Sequence, residues 1–188
     1  MSARTYRISK RTFDIIYASA GILASLLPLA AVAFAVKASS PGPIFFRQTR
    51  VGRNGLPFTC YKIRTMRCGT PQCAASKLGD PSRFLTPIGA LLRSYSIDEL
   101  PQLLNVLRGD MSFIGPRPLI PNEREVHRLR SERGVYAMRP GISGLSQIIG
   151  RDGMDDRRKA EFDALYAKNA SLWLDLAIIK RTSRCIRH

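Results

Sequence analysis

Ile15 to Val36 reads IIYASAGILASLLPLAAVAFAV, an uncharged and mostly apolar run bounded by Asp14 and Lys37. A helix of that length covers a hydrocarbon core of about 30 Å. Three readings compete: a cleaved signal peptide, a spanning helix, and a segment that enters a bilayer and returns. A basic start and small residues from Ala33 to Ala38 suit a signal peptide, but the run is longer than a usual h-region and opens on an acid. Flanking charge separates the other two. Arg4, Arg7, Lys10 and Arg11 precede the run, and Lys37, Arg47, Arg50 and Arg53 follow it. Positive residues favour the cytoplasmic side, so a straight span strands one basic flank while a re-entrant hairpin keeps both inside. Pro28 lies mid-run, where it lacks an amide hydrogen and crowds the preceding turn. Ser25 can offer its hydroxyl to a carbonyl so freed. These two residues mark the expected membrane break; an ordinary kinked span is the plainer alternative.

The remainder of the 188-residue chain suffices for one domain with its own core. Thirty Lys and Arg against fourteen Asp and Glu give a formal charge of +16. Such a chain needs an acidic partner: nucleic acid, anionic lipid or phosphorylated small molecules. Between Asp14 and Asp80 there is no carboxylate, yet Lys37, Arg47, Arg50, Arg53, Lys62, Arg64, Arg67 and Lys77 all fall there. That stretch is either a solvated basic face or one turned toward phosphates. Cys60, Cys68, Cys73 and Cys185 match no zinc module and no disulfide framework, and read as free thiols.

Ser39 to Pro43 breaks the apolar helix. Ile44 to Thr49 and Phe58 to Met66 are β-branched and aromatic, with Arg53-Asn54-Gly55 between them, and predict a β-hairpin. Arg67 to Pro81 reads as a loop. Thr86-Pro87 predicts a helix start, and a second helix beginning at Ser96 to Asp98 stops at Gly109. Further helices are expected over Pro121 to Arg133, Asp155 to Asn169 and Ser171 to Ile186. The last is amphipathic, suited either to a membrane interface or to the domain core.

Asp98 and Glu99 stand together in a chain poor in acids. The plain reading is a capping box, Ser96-x-x-Glu99, with Asp98 favouring the helix dipole. Pro101 argues for a start nearer Asp98, which puts the proline in the first turn, where its missing amide hydrogen costs nothing. Adjacent helical residues point about 100° apart, so one acid can act as nucleophile while the other holds a metal. Gly109 to Pro118 (GDMSFIGPRP) reads as a rigid loop presenting Arg117, whose planar fork suits phosphate oxygens. Arg139 to Gly144 reads as a second such loop, with Arg151 shortly after.

As a set, these residues resemble the bacterial sugar transferase family of monotopic polyprenol-phosphate phosphoglycosyl transferases. The longest match is SIDELPQLLNVLRGDMSFIGPRP at Ser96 to Pro118. Others are Lys10 to Asp14 with the apolar helix, Tyr61 to Met66, Arg139 to Gly141, and Asp163, Tyr166, Asn169, Ser171, Asp175 and Leu176 in the tail. The resemblance implies a UDP-sugar donor, a polyprenol phosphate acceptor such as undecaprenyl phosphate, and a requirement for Mg²⁺. It implies that Asp98 attacks the β-phosphate to form a phosphosugar adduct and release UMP, with Glu99 as its acidic partner and both at the metal. Lys62, Arg93, Arg117, Arg139 and Arg151 are the residues expected to neutralise substrate phosphate. Leu145-Ser146-Gln147 replaces the Trp-Ala pair that many members carry before this glutamine, and Leu27-Pro28 replaces their Ser-Pro.

The expected fold is α+β and mostly helical. An N-terminal arm with a re-entrant membrane helix (residues 1–38) precedes a catalytic domain (39–188) with a small β-hairpin and interface helices. The expected location is the cytoplasmic face of a bacterial inner membrane, with anionic lipid as a partner and no nucleic acid. An N-acetylated amino sugar is the expected cargo for so small a member. Two rivals are a membrane-tethered anion-binding module and a catalytically dead structural subunit.

Overall fold

A computed structural model describes residues 2–71, 79–150 and 154–185. Helix α1 runs from Ala3 to Ser39, 37 residues or about 55 Å at 1.5 Å per residue. The Ser2 hydroxyl caps it by accepting from the Thr5 amide at 3.2 Å. The helix is assigned without interruption across the expected break: Pro28 lies inside it, and the Ser25 hydroxyl donates to the Ile22 carbonyl at 3.1 Å.

Much of α1 is uncovered. Leu23, Leu27 and Phe34 are 70%, 85% and 78% exposed, far from what a helix buried in a soluble core shows. Among the described residues it is the one helix long and apolar enough to cross a membrane. Its other face packs on the domain. Ala18 joins Cys60, Val106 and Met111, while Leu29, Val32 and Val36 pack with Ile63 and Leu92. Gly21 leaves room for Leu103, whose Cδ1 lies 3.0 Å from where a Cβ would stand.

Strands β1 (Phe45–Val51) and β2 (Pro57–Ile63) form the expected hairpin, antiparallel from Phe45 opposite Ile63 to Val51 opposite Pro57. Its connection puts Asn54 and Gly55 in the left-handed region. Helix α2 (Gly89–Ser94) begins three residues after Thr86, because the Thr86 hydroxyl donates to the Thr65 carbonyl rather than capping a helix. A 3-10 turn at Ile97–Glu99 leads into α3 (Gln102–Arg108), which stops at Gly109 with φ of 93°. Strand β3 (Ser112–Ile114) pairs in parallel with β4 (Gly141–Ser143), so both segments expected as loops contribute strands. Their backbones close so tightly that a Cβ on Gly141 would stand 2.1 Å from the Gly115 nitrogen.

Helices α4 (Arg124–Glu132), α5 (Leu145–Gly150), α6 (Asp156–Asn169) and α7 (Leu172–Cys185) complete the domain. The small sheets and many helices agree with the α+β, mostly helical expectation. The tail residues that resemble the family form buried polar joints. Asp163 accepts from Arg130 Nε at 2.9 Å and from the Ser146 hydroxyl at 2.8 Å, tying α4 and α5 to α6. Asp175 accepts from the Tyr166 hydroxyl at 2.7 Å, the Tyr6 hydroxyl at 3.1 Å and Lys10 Nζ at 2.8 Å. The N-terminal end of α1 is thereby fastened to α6 and α7.

Candidate active site

The 3-10 turn carrying Asp98 and Glu99 is set by backbone geometry rather than by a cap. Ser96 lies in the left-handed region, φ 54° and ψ 23°, and its side chain makes no capping bond. The capping-box alternative is therefore absent. Pro101 stands just before α3, where no amide hydrogen is required of it. The two acids then diverge. Glu99 turns to β2, and its Oε1 accepts from Lys62 Nζ at 2.5 Å. Asp98 is 6% exposed and has no salt bridge among the described residues.

Their surroundings differ in consequence. Burial raises the Asp98 carboxyl above the usual range, and the adjacent Glu99 charge adds to this against Lys62 and Arg93. Burial pushes Glu99 the same way, but Lys62 and Arg117, with hydrogen bonds from Lys62 and Gln102, outweigh it and hold that carboxyl below its usual range. Adjacent carboxylates pushed apart in this way suit two different chemical tasks.

Both acids line a cavity of about 950 Å³ together with Lys62, Arg93 and Arg117. Arg93 extends from α2 with Nε 2.9 Å from Thr65 Oγ1. Arg117 belongs to the Gly115–Pro118 segment after β3, whose backbone is held from beneath: buried Arg130 donates through Nη1 to the Arg117 carbonyl at 2.8 Å.

Arg139 stands elsewhere. Its Nε donates to the Gly109 carbonyl at 2.8 Å, beside Arg11, whose Nη1 and Nη2 donate to the Val106 and Leu107 carbonyls at 2.6 and 2.8 Å. Both guanidiniums cap the negative end of α3. Arg151 lies outside the described residues, as does Cys73. Cationic residues not singled out for the site also line the cavity, among them Arg50 on β1 and Arg64 after β2. Arg64 donates to the Ser40 carbonyl at 2.8 Å and to the Pro41 carbonyl, clamping the exit of α1. Both lie in the long acid-free basic interval, and Arg64 also lies in the Tyr61 to Met66 match.

Among the described residues no group of three or more His, Cys, Asp or Glu gathers into a ready metal cage. That does not exclude Mg²⁺, which commonly takes one or two carboxylates and completes its shell with substrate phosphate and water. Asp98 and Glu99 fit that pattern.

A buried carboxylate thus shares a cavity with Lys62, Arg93 and Arg117 in a domain that carries one long, largely exposed apolar helix. The family model described as Bacterial sugar transferase matches residues 5–188, and the chain belongs to that family. It is 43% identical over 93% of its length to the UDP-glucose:undecaprenyl-phosphate glucose-1-phosphate transferase of Caulobacter vibrioides, of which it spans 68%. It is 40% identical to a UDP-N-acetylgalactosamine-undecaprenyl-phosphate N-acetylgalactosaminephosphotransferase of Aeromonas hydrophila, with 96% of the chain and 44% of that relative covered. It is 37% identical to the undecaprenyl-phosphate galactose phosphotransferase of Salmonella typhimurium, with 99% of the chain and 42% of that relative covered. The chain thus spans less than half of the latter two relatives.

Proposed function

We propose that this chain transfers a sugar-1-phosphate from a UDP-sugar to a polyprenol phosphate such as undecaprenyl phosphate, releasing UMP. The observation that carries this is the division of labour at 98 and 99: Glu99 is engaged by Lys62, while Asp98 is buried, without a salt bridge, on the wall of the same cavity. In the first step an Asp98 carboxylate oxygen attacks the sugar-bearing phosphorus. The P–O bond to the bridging oxygen breaks, and that oxygen leaves with UMP. In the second step an oxygen of the lipid phosphate attacks the phosphosugar, forming the diphosphate and restoring the Asp98 carboxylate.

A carboxylate and a diphosphate repel, so the attack depends on positive charge already in place. Lys62, Arg93 and Arg117 supply it from three separate elements. Mg²⁺ bound by Asp98, Glu99 and substrate phosphate would add further charge neutralisation. Burial serves the nucleophile: desolvation raises its basicity, and hence its reactivity once ionised.

The chemistry is placed at the cytoplasmic face of a bacterial inner membrane, with α1 as a re-entrant anchor among anionic headgroups. Support comes from the two ends of α1. Tyr6 and Lys10 are bonded to Asp175, and Val36 packs on Ile63 and Leu92 of the same domain. A domain that grips both ends of its membrane segment stays on one side with them. The relatives named above carry glucose, N-acetylgalactosamine and galactose in their names, so family membership alone leaves the sugar open.

The test is Asp98→Asn assayed with a panel of UDP-sugars, Mg²⁺ and undecaprenyl phosphate. UMP release should vanish while UMP binding stays intact or strengthens. Full turnover by the variant would overturn the assignment.

A further inference from the structure

Arg50 lies on β1, partly buried, and its guanidinium is held in place without a carboxylate. Nη1 donates to the Pro118 carbonyl at 3.0 Å and Nη2 to Gln48 Oε1 at 2.5 Å. Neither Arg50 nor Arg117 forms an ion pair among the described residues. Two acids, Glu99 and Glu123, line the same cavity as Arg50, but each is occupied. Glu99 is bound to Lys62, and Glu123 Oε2 accepts from the Ile120 amide at 3.0 Å. The bond to the Pro118 carbonyl sets Arg50 beside the segment that carries Arg117, and burial together with that neighbouring charge lowers the Arg50 pKa. Desolvated like charges without a counter-ion are costly, and an anion shared between them removes the cost.

Strand register orders the charges and says which anion. Lys62, which holds Glu99, stands opposite Phe46, and Arg50 lies on the same face of the hairpin four residues further toward its turn, about 13 Å along the strand. Arg50, bonded to Pro118 beside Arg117, therefore stands on the hairpin-turn side of the Lys62–Glu99 pair. In-line displacement at phosphorus sends the leaving oxygen away from the attacking one. We propose that Arg50 is a phosphate-binding residue of the donor site, sharing with Arg117 the phosphate that departs with the nucleotide. This rests on the transferase reading and extends it: nucleotide phosphate occupies the Arg50–Arg117 end of the cavity, and phosphosugar the Asp98 end. The Pro118 contact has a second effect, since Arg50 above and Arg130 below fix the segment that presents Arg117.

The assignment is tested by titrating UMP alone onto the full-length protein in detergent or nanodiscs, comparing wild type with Arg50→Gln and Arg50→Lys. Loss of a charge-assisted phosphate contact should weaken UMP binding about ten- to a hundredfold in Arg50→Gln. Arg50→Lys keeps the charge but not the fork, and should fall between that variant and wild type. Wild-type affinity in Arg50→Gln would overturn the proposal. So would equal losses in both variants, because a purely structural strut on Pro118 gains nothing from a lysine charge. Thermal melting of each variant identifies any that fail to fold, and Arg50→Lys then carries the test against wild type: weakened binding supports the contact and unchanged binding refutes it. UMP binding needs no turnover, so a failure of the transferase reading would show separately, as absence of UMP release by the wild type.

Discussion

Lys62 Nζ and Glu99 Oε1 meet at 2.5 Å across the gap between β2 and the 3-10 turn, and this contact leaves Asp98 the acid without a salt bridge. Removing the amine exposes Glu99 as a second uncompensated charge beside the nucleophile. Lys62→Met should lower kcat for UMP release by about 10²–10³-fold, in the range seen when a preorganised charge-stabilising group is lost. A kcat within twofold of wild type would show that Lys62 does not serve the reacting phosphate.

Asp98 has a stability signature as well as a kinetic one. Its folded-state pKa is raised, so the folded chain holds this proton more tightly than the unfolded chain does. Its contribution to stability therefore falls as pH rises from the ordinary carboxylate value through the raised one, and the penalty is complete above it. Asp98→Asn removes that penalty and should stabilise the protein by about 1 kcal/mol at neutral pH, with the gain shrinking in acid.

Asp175 gathers Tyr6, Lys10 and Tyr166 on one carboxylate and is 6% exposed. Asp175→Asn leaves Lys10 without its partner and should cost about 3 kcal/mol, read as a fall in melting temperature in detergent. The loss should be shared by Lys10→Met, because the two substitutions break one joint and their effects should not add.

The topology of α1 is open to labelling. Cysteines placed at Arg4 and Ala38, in a chain whose own four cysteines are changed to alanine, should react with a membrane-impermeant maleimide from the same side of sealed vesicles. Reaction from opposite sides would establish a span and remove the re-entrant anchor from the account.

The β-hairpin, the stop of α3 at Gly109 and the pairing of Asp98 with Glu99 were legible because each rests on local chemistry: β-branched runs, a left-handed glycine and adjacent acids. The β3–β4 pair was not. Its strands are three residues each and flanked by glycine and proline, so their extended form comes from a partner distant in sequence. Arginine targets were equally opaque. Arg139 sits in a motif like that around Arg117, yet it caps α3, whereas Arg50, read only as part of a basic stretch, enters the cavity. A guanidinium's task depends on which carbonyls and carboxylates the fold brings to it, and local pattern carries none of that. The Ser96-x-x-Glu99 spacing misled for a related reason: Lys62, far back in the chain, claims Glu99 before Ser96 can.

The central claim is covalent loading of Asp98. Protein incubated with its UDP-sugar and Mg²⁺, without lipid acceptor, should release about one equivalent of UMP in a burst. After digestion, mass spectrometry should find the phosphosugar on the peptide carrying Asp98, and added undecaprenyl phosphate should discharge it. An adduct mapped consistently to another residue, or an active preparation in which no adduct forms at all, would contradict the account.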